Sequence, residues 1–345
     1  MKAVLIACAL AMAFFFGISF GADMKMWERY KDTFITKDGR VVDYYQGGVS
    51  HSEGQGYGML LSVVYNDKAT FDLLWRWAKD NLQVRKDALL AWCWGRRPNG
   101  AWSVVDYNDA SDGDMLVALS LLKASERWGD DRYRDEALRI IKSLREELAF
   151  TWEGHTLILP GFYGFSMPDG FLLNPSYFIF SAFKRFAEVD DAEFWRKVYA
   201  DSLSVLSRAR FSSLQMPADW ILLEKGGRIS IYSKRSRHFG YEAVRVLLYM
   251  CWDGGLDFPP GVDWIFGFYR GFGYIPLYVD LVNNEVSLED APAGFYAVYA
   301  CVADRMGKRK LSRELFERAR KKLSAEKKNY YSFSLYLLAG AEDIQ

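Results

Sequence analysis

The stretch Val104–Trp128, VVDYNDASDGDMLVALSLLKASERW, sets four aspartates, Asp106, Asp109, Asp112 and Asp114, ahead of a run whose apolar residues recur at helical spacing. From Asp112 to Trp128 this pattern predicts an amphipathic helix. Ser111 is placed to cap it, and acids in a first turn are stabilised by the helix dipole by about 0.3–1 kcal/mol each. Helix chemistry therefore accounts for Asp112 and Asp114 without any function. It accounts poorly for Gly113 and not at all for Asp106 and Asp109. A calcium loop fails on spacing: with Asp106 as its first position, the required glutamate falls on Val117.

The same periodicity extends outward from this helix. It marks helices over Leu60–Tyr65, Phe71–Asn81, Tyr133–Phe150, Pro175–Glu188, Ala192–Ser207, Tyr241–Met250, Ala293–Met306 and Arg313–Ala325. Only short pieces such as TLILPG (156–161) and RISIY (228–232) read as extended, so the chain is mainly α. No fixed period supports a solenoid. No low-complexity segment or linker divides residues 22–345, which read as one domain.

A second acidic group lies in HSEGQGYGM, His51–Met59, where Glu53 stands among Gly54, Gly56 and Gly58. Ser52 and Gln55 have the spacing of a capping box. Each glycine inside a helix costs roughly 1 kcal/mol relative to alanine, so three together call for a close approach by another backbone, a ring or a ligand. The third group is RHFGYEAVRVLLY, Arg237–Tyr249, which places Glu242 and Arg245 on one helical face. Acetal hydrolysis needs two carboxyl groups with separate tasks, and these three stretches supply them.

Other chemistries lack their residues. His51, His155 and His238 are scattered without metal-ligand spacing, which argues against a metal site. Gly54, Gly56 and Gly58 are followed by Met59, which breaks the dinucleotide fingerprint, and no GxSxG elbow is present. Lys+Arg and Asp+Glu balance at 44 each, so nucleic acid is a poor partner and a neutral substrate a better one.

The chain opens with Lys2 and an apolar run from Ala3 to Phe20, which reads as a secretory signal peptide over residues 1–21, with a retained membrane anchor as the competing reading. Beyond it Cys93, Cys251 and Cys301 form no disulfide framework. Aromatic residues make up 17% of the chain and gather in glycine-containing segments: AWCWGRRPNGAW (91–102), PGFYGFSMPDGF (160–171) and GFGY (271–274). Such rings are suited to stacking on the apolar faces of sugars.

Taken together, these stretches resemble glycoside hydrolase family eight, and within it the periplasmic endo-β-1,4-glucanases encoded with bacterial cellulose synthases. ASDGDMLVALSLLKASERW is similar to that family's signature, with Val117 as a departure; HSEGQGYGM resembles the segment carrying its general acid. NPSY (174–177), PADW (217–220) and YEAVR (241–245) follow in the expected order, and the resemblance spans about residues 25–305. It implies an (α/α)6 barrel, a six-hairpin toroid, with an open groove at one end. It further implies inverting cleavage of internal β-1,4 bonds in a cellulose-like glucan by a monomer without a cofactor, in the periplasm or outside the cell, beside a cellulose synthase. By position Glu53 is the acid, Asp112 holds the distorted sugar, and Glu242 is the base where many members have aspartate; Asp219 of PADW is the alternative base. Trp92, Trp94, Tyr177, Tyr241 and Arg245 complete the expected substrate-binding set. Xylan and chitosan are the nearest alternative substrates, and a non-catalytic glucan-binding component is the alternative from another class.

Overall fold

The computed structural model describes residues 23–341 and 344; the expected signal peptide lies outside the described residues. These residues form twelve α-helices: α1 (Met24–Phe34), α2 (Ser52–Val64), α3 (Lys68–Asn81), α4 (Ser111–Trp128), α5 (Asp131–Glu147), α6 (Phe180–Val189), α7 (Ala192–Arg208), α8 (Val244–Asp253), α9 (Gly261–Phe272), α10 (Ala293–Arg305), α11 (Arg309–Ala325) and α12 (Tyr330–Ala339). The even-numbered helices touch in turn, α2 to α4, α4 to α6, α6 to α8, α8 to α10, α10 to α12, and α12 back to α2. They close a ring.

The odd-numbered helices lie outside it. Helices α3, α5, α7 and α11 each pack on the inner helix before them, and α1 packs on α12. Helix α9 lays Phe266 and Tyr269 against Tyr299 and Tyr296 of α10. This is an (α/α)6 barrel, and composition explains which helix goes where. In α2, α8, α10 and α12 nearly every residue is buried, as expected of helices apolar on all sides. By contrast α3, α5, α7 and α11 carry a charged face to solvent.

Successive inner helices are joined through an outer helix that returns the chain, so all inner helices run the same way. Their N-terminal ends gather at one mouth of the barrel. The outer helices α1, α3, α5 and α7 start with aspartates, Asp23, Asp67, Asp130 and Asp191, whose carboxylates accept a backbone N–H. The inner helices α2, α4, α6, α8 and α10 start without a side-chain cap. Their positive dipole ends are left facing the mouth.

Two local expectations fail here. Ser52 and Gln55 form no capping box: α2 starts after His51, and Gln55 is fully buried, accepting from Val41 N at 2.6 Å and donating to Gly39 O and Leu74 O at 3.1 Å each. Ser111 does not cap α4 either, because Ala110 occupies that position. The glycines do answer a close approach by neighbouring parts of the chain. A Cβ on Gly56 would lie 2.7 Å from Leu116 Cβ, and one on Gly113 would lie 2.8 Å from the backbone N of Glu53. Gly54 and Gly58 lie against the Tyr330 ring and against Val41 and Leu74. Helices α2 and α4 thus meet backbone to backbone beside Glu53 and Asp112.

Helix boundaries shift where polar side chains take the backbone. Pro175–Tyr177 is a 3-10 turn with Asn174 Oδ1 accepting from Ser176 N, which delays α6 to Phe180, and Glu242 sits in the turn before α8. Helices α1, α9 and α12 are additions to the periodicity reading. So are the hairpin Cys93–Arg96 with Trp102–Asp106 and the strands Gly170–Leu173 and Ile221–Glu224; TLILPG and RISIY are extended as expected.

Candidate active site

The mouth where the inner helices begin holds an open cleft of about 1030 Å³. Its lining includes Glu53 and Asp112, each the second residue of an inner helix, Glu242 and Arg245 at the start of α8, and Tyr330 at the start of α12. Tyr177, Tyr241 and Trp92 add aromatic walls, so seven of the eight expected site residues converge here.

Arg245 is the centre of the arrangement and is 3% exposed. Its Nη1 contacts Glu53 Oε2 and donates to Asp112 Oδ2 at 3.1 Å. Its Nη2 donates to Glu242 Oε2 and, at 3.0 Å, to Ser176 Oγ. The guanidinium lies over the Tyr177 ring, with Cζ 5.7 Å from the centroid. Arginine suits this role because its planar fork serves several oxygens at once and does not lose its proton. Three carboxyl groups nevertheless share one cation, so the cluster is over-acidic unless it retains protons.

The carboxyl groups respond accordingly. Burial raises Asp112 to about 7 against the pull of the Gly113 N–H, at 2.8 Å, and the Tyr177 hydroxyl. Glu242 is raised to about 8, first by burial and then by the nearby negative charges of Asp219 and Asp112, while the amide of Asn174 donates to it at 3.0 Å and opposes the shift. The cleft leaves 36% of the Glu242 side chain open to solvent, which tempers the effect of burial. Glu53 accepts from Tyr330 Oη at 3.4 Å, and Tyr330 also meets His51 Nδ1 at 3.3 Å. Burial lowers the His51 pKa, and its ring stacks on Trp92 with centroids 5.6 Å apart.

Trp94 is the exception among the expected binding residues. It is absent from the cleft lining and packs between Trp77 and Trp102, with Arg40 Cζ 5.0 Å from its ring. A register shift between Cys93 and Trp94 breaks the strand alternation that would have put Trp94 on the same side as Trp92. Asp219 is buried away from the cleft, accepting from Gly240 N and Ala243 N at 3.1 and 2.8 Å and from Ser236 Oγ at 2.7 Å. Its carboxylate is occupied in shaping the turn that presents Glu242.

Four contributors escaped the sequence reading. Asn174 and Ser176 stood in NPSY without assigned roles; an asparagine before Pro-Ser was the available signal. Tyr330 and Tyr331 arrive from the last helix, where Tyr331 Oη donates to Tyr241 O at 2.5 Å. Nothing local connects the pair Tyr330-Tyr331 to Glu53, 277 residues away. Among the described residues no group of three or more His, Cys, Asp or Glu side chains converges in a way that could hold a metal ion.

The comparisons with known proteins agree with this geometry. An endoglucanase of Cellulomonas uda is 34% identical over 274 residues, covering 79% of this chain and 75% of that protein. A probable endoglucanase of Novacetimonas hansenii is 35% identical over 282 residues, covering 80% and 81%. The solved endo-β-1,4-glucanase of Acetobacter xylinum superposes with a TM-score of 0.81 at 32% identity, over 92% of this chain and 96% of that one. The family model of glycosyl hydrolases family 8 matches residues 2–343, and with the closed helical ring and the acids gathered at its mouth, the chain belongs to that family.

Proposed function

We propose that this chain is a secreted or periplasmic endo-β-1,4-glucanase that hydrolyses internal bonds of a cellulose-like glucan with inversion. The observation that carries the reading is the trio Glu53, Asp112 and Glu242, delivered by three helix starts onto Arg245 in an open, aromatic-walled cleft. An open cleft suits the interior of a polymer. The names of the similar enzymes supply the glucan.

In this reading Glu53 protonates the leaving glycosidic oxygen, Glu242 takes a proton from the attacking water, and Asp112 holds the distorted sugar. The inverting geometry needs the two working carboxyl groups about 6.5–9.5 Å apart so that water fits between. Arg245 bridges Glu53 and Glu242 here, and a protonated Glu53 is a weaker partner for it than a carboxylate. Sugar hydroxyls that take over Arg245 and Asp112 would therefore free Glu53 to carry the proton. Glu242 has one methylene more than the aspartate expected at a base, and the Asn174 amide and Arg245 fix where that longer arm ends. Side chains and water suffice for this chemistry.

Residues 1–21 act in this proposal as the signal peptide, and residues 22–345 as a single catalytic domain working as a monomer near a cellulose synthase. A second reading, a slow or non-catalytic glucan-binding component, draws on the grip of Arg245 and Asn174 on Glu242. Product analysis on carboxymethyl cellulose, xylan and chitosan separates these readings. Short oligosaccharides from the first substrate alone are expected, cleavage of xylan or chitosan instead would reassign the substrate, and binding without any turnover would favour the second reading.

A further inference from the structure

Beside Glu53 the cleft wall carries three further polar side chains, Asp43 and His51 from the segment before α2 and Tyr330 from the start of α12. His51 and Tyr330 are 8% and 5% exposed, and each ring is fixed. His51 pairs with Cys93 in a short antiparallel ladder and stacks on Trp92 at an interplanar angle of 6°. Tyr330 lies on Gly54, where a Cβ would come within 3.3 Å of its ring. Asp43 is buried behind them and accepts from Tyr45 N at 2.9 Å and Gln46 N at 3.2 Å.

The hydrogen bonds give this row a direction. Tyr330 Oη donates to Glu53 Oε1 at 3.4 Å, and a hydroxyl has one proton to give, so His51 Nδ1, 3.3 Å away, is the donor to Tyr330. That is the arrangement for an ionised Glu53. With Glu53 protonated the bonds reverse: the carboxyl donates to Tyr330, Tyr330 donates to Nδ1, and Nδ1 accepts. One proton passed along the row joins the two arrangements. A His51 imidazolium gives its Nδ1 proton to Tyr330 as Tyr330 gives its own to Glu53. Imidazolium and carboxylate become imidazole and carboxylic acid, and Tyr330 ends as the hydroxyl it began.

The surroundings favour that transfer. Burial works against the imidazolium more strongly than Asp43 supports it, so a charged His51 sheds its proton readily. Asp43, Tyr30, Tyr331 and Arg245 are the titratable and charged groups acting on Tyr330 besides Glu53 and His51. An inverting cycle ends with its acid ionised, and that acid must regain a proton before the next bond is cut. We infer that His51, acting through Tyr330, is a positioning residue that returns a proton to Glu53 after each turnover. This rests on the reading of Glu53 as the acid.

The test is kcat on a short soluble cellooligosaccharide at alkaline pH in dilute buffer, where free protons are scarce. His51→Phe keeps a ring on Trp92 and loses both nitrogens; Tyr330→Phe keeps the ring on Gly54 and loses the hydroxyl. Each should lower kcat by about tenfold, a fraction of the roughly 10²–10⁴ that positioned proton transfer supplies. The double variant should lose no more than either single one, since both cut the same chain. Added imidazole, a diffusible proton donor, should recover most of the loss in His51→Phe, and the loss should shrink toward acid pH. Losses that add, that ignore imidazole, or that are equal at acid and alkaline pH overturn the inference in favour of packing alone. If melting shows that His51→Phe does not fold, His51→Gln, which also lacks a titratable ring, carries the same test. A Glu53→Gln variant that keeps the parent's rate breaks the acid reading itself, whereas an inactive Glu53→Gln beside unaltered His51 and Tyr330 variants overturns the relay alone.

Discussion

Two sets of carboxylates sit around the barrel mouth, and what occupies their oxygens sets them apart. Asp109, Asp114 and Asp219 are buried and raised in pKa by burial, Asp109 to about 6, as is Asp112; Glu242 is raised too, although its side chain is partly open to the cleft. Asp114 accepts from Leu90 N at 2.8 Å, Asp109 from Phe162 N at 3.0 Å, and Asp219 from two backbone groups and Ser236. These acids hold loops together. Glu53, Asp112 and Glu242 meet Arg245, which faces the cleft and which a substrate can engage, whereas Arg85, the partner of Asp109 at 3.3 Å, does not line the cleft. A shifted pKa alone would have chosen between the two sets wrongly.

The largest separation between the sets is expected in turnover. Glu53→Gln keeps the shape but cannot donate a proton, so kcat should fall by about 10²–10⁴ while cellooligosaccharide binding persists. A residual rate above a tenth of the parent's rejects Glu53 as the acid. Asp112→Asn should also cripple turnover, with the melting temperature preserved; loss of folding instead would move Asp112 into the loop-holding set.

Stability should respond in the opposite pattern. Asp114→Ala leaves the buried Leu90 N–H without an acceptor and should cost about 1–3 kcal/mol in denaturant unfolding, with kcat per folded molecule intact. Asp114→Asn retains an acceptor and should cost less. Equal penalties from the two variants would mean that the hydrogen bond is not what Asp114 contributes.

A pH profile sharpens the comparison further. A base works deprotonated, so with Glu242 raised to about 8 the acid limb of kcat/KM should fall as pH drops through neutrality rather than near the ordinary value of about 4.3. The stability sign follows from the same shift. A carboxyl whose folded pKa is raised favours the folded state at low pH, and that advantage is lost as pH rises through the folded value. Glu242→Gln should therefore raise the melting temperature at pH 9 and leave it unchanged at pH 4. The opposite trend would place Glu242 in a net stabilising pair with Arg245.

The smallest expected contrast is between two tryptophans. Trp92→Ala should raise KM several-fold, and Trp94→Ala should leave KM unchanged, as initial-rate kinetics on a soluble glucan would show.

What was legible in the sequence follows this division. Glu53, Asp112 and Glu242 stood out because each begins a helical run beside residues that helix formation does not require, and the resemblance gave them an order. The inner and outer helices were mostly visible because apolar periodicity is local. Closure of the ring was not, since it depends on α12 reaching α2 across almost the whole chain. The same distance hid Tyr330 and Tyr331. Trp94 is set apart from Trp92 by a hairpin and a register shift that the aromatic, glycine-containing segment does not announce, and Gln55 misled because a spacing shared with a capping box says nothing of Val41, Gly39 and Leu74, which it joins.

The contact through Gly56 and Gly113 also bears on how finely the acid pair can be adjusted. Glu53 and Asp112 ride on two rods whose spacing is fixed by backbone against backbone, a stop as hard as a machinist's gauge block. Compressible side chains would let that gap breathe with temperature and drift by small substitutions. Here the smallest available increment is a whole methyl group, since alanine at position 113 would push its Cβ to within 2.8 Å of the Glu53 nitrogen. The separation of the two acids is therefore set in coarse steps, and fine adjustment of the reaction has to come from the looser parts of the mouth, the turn before α8 and the aromatic walls.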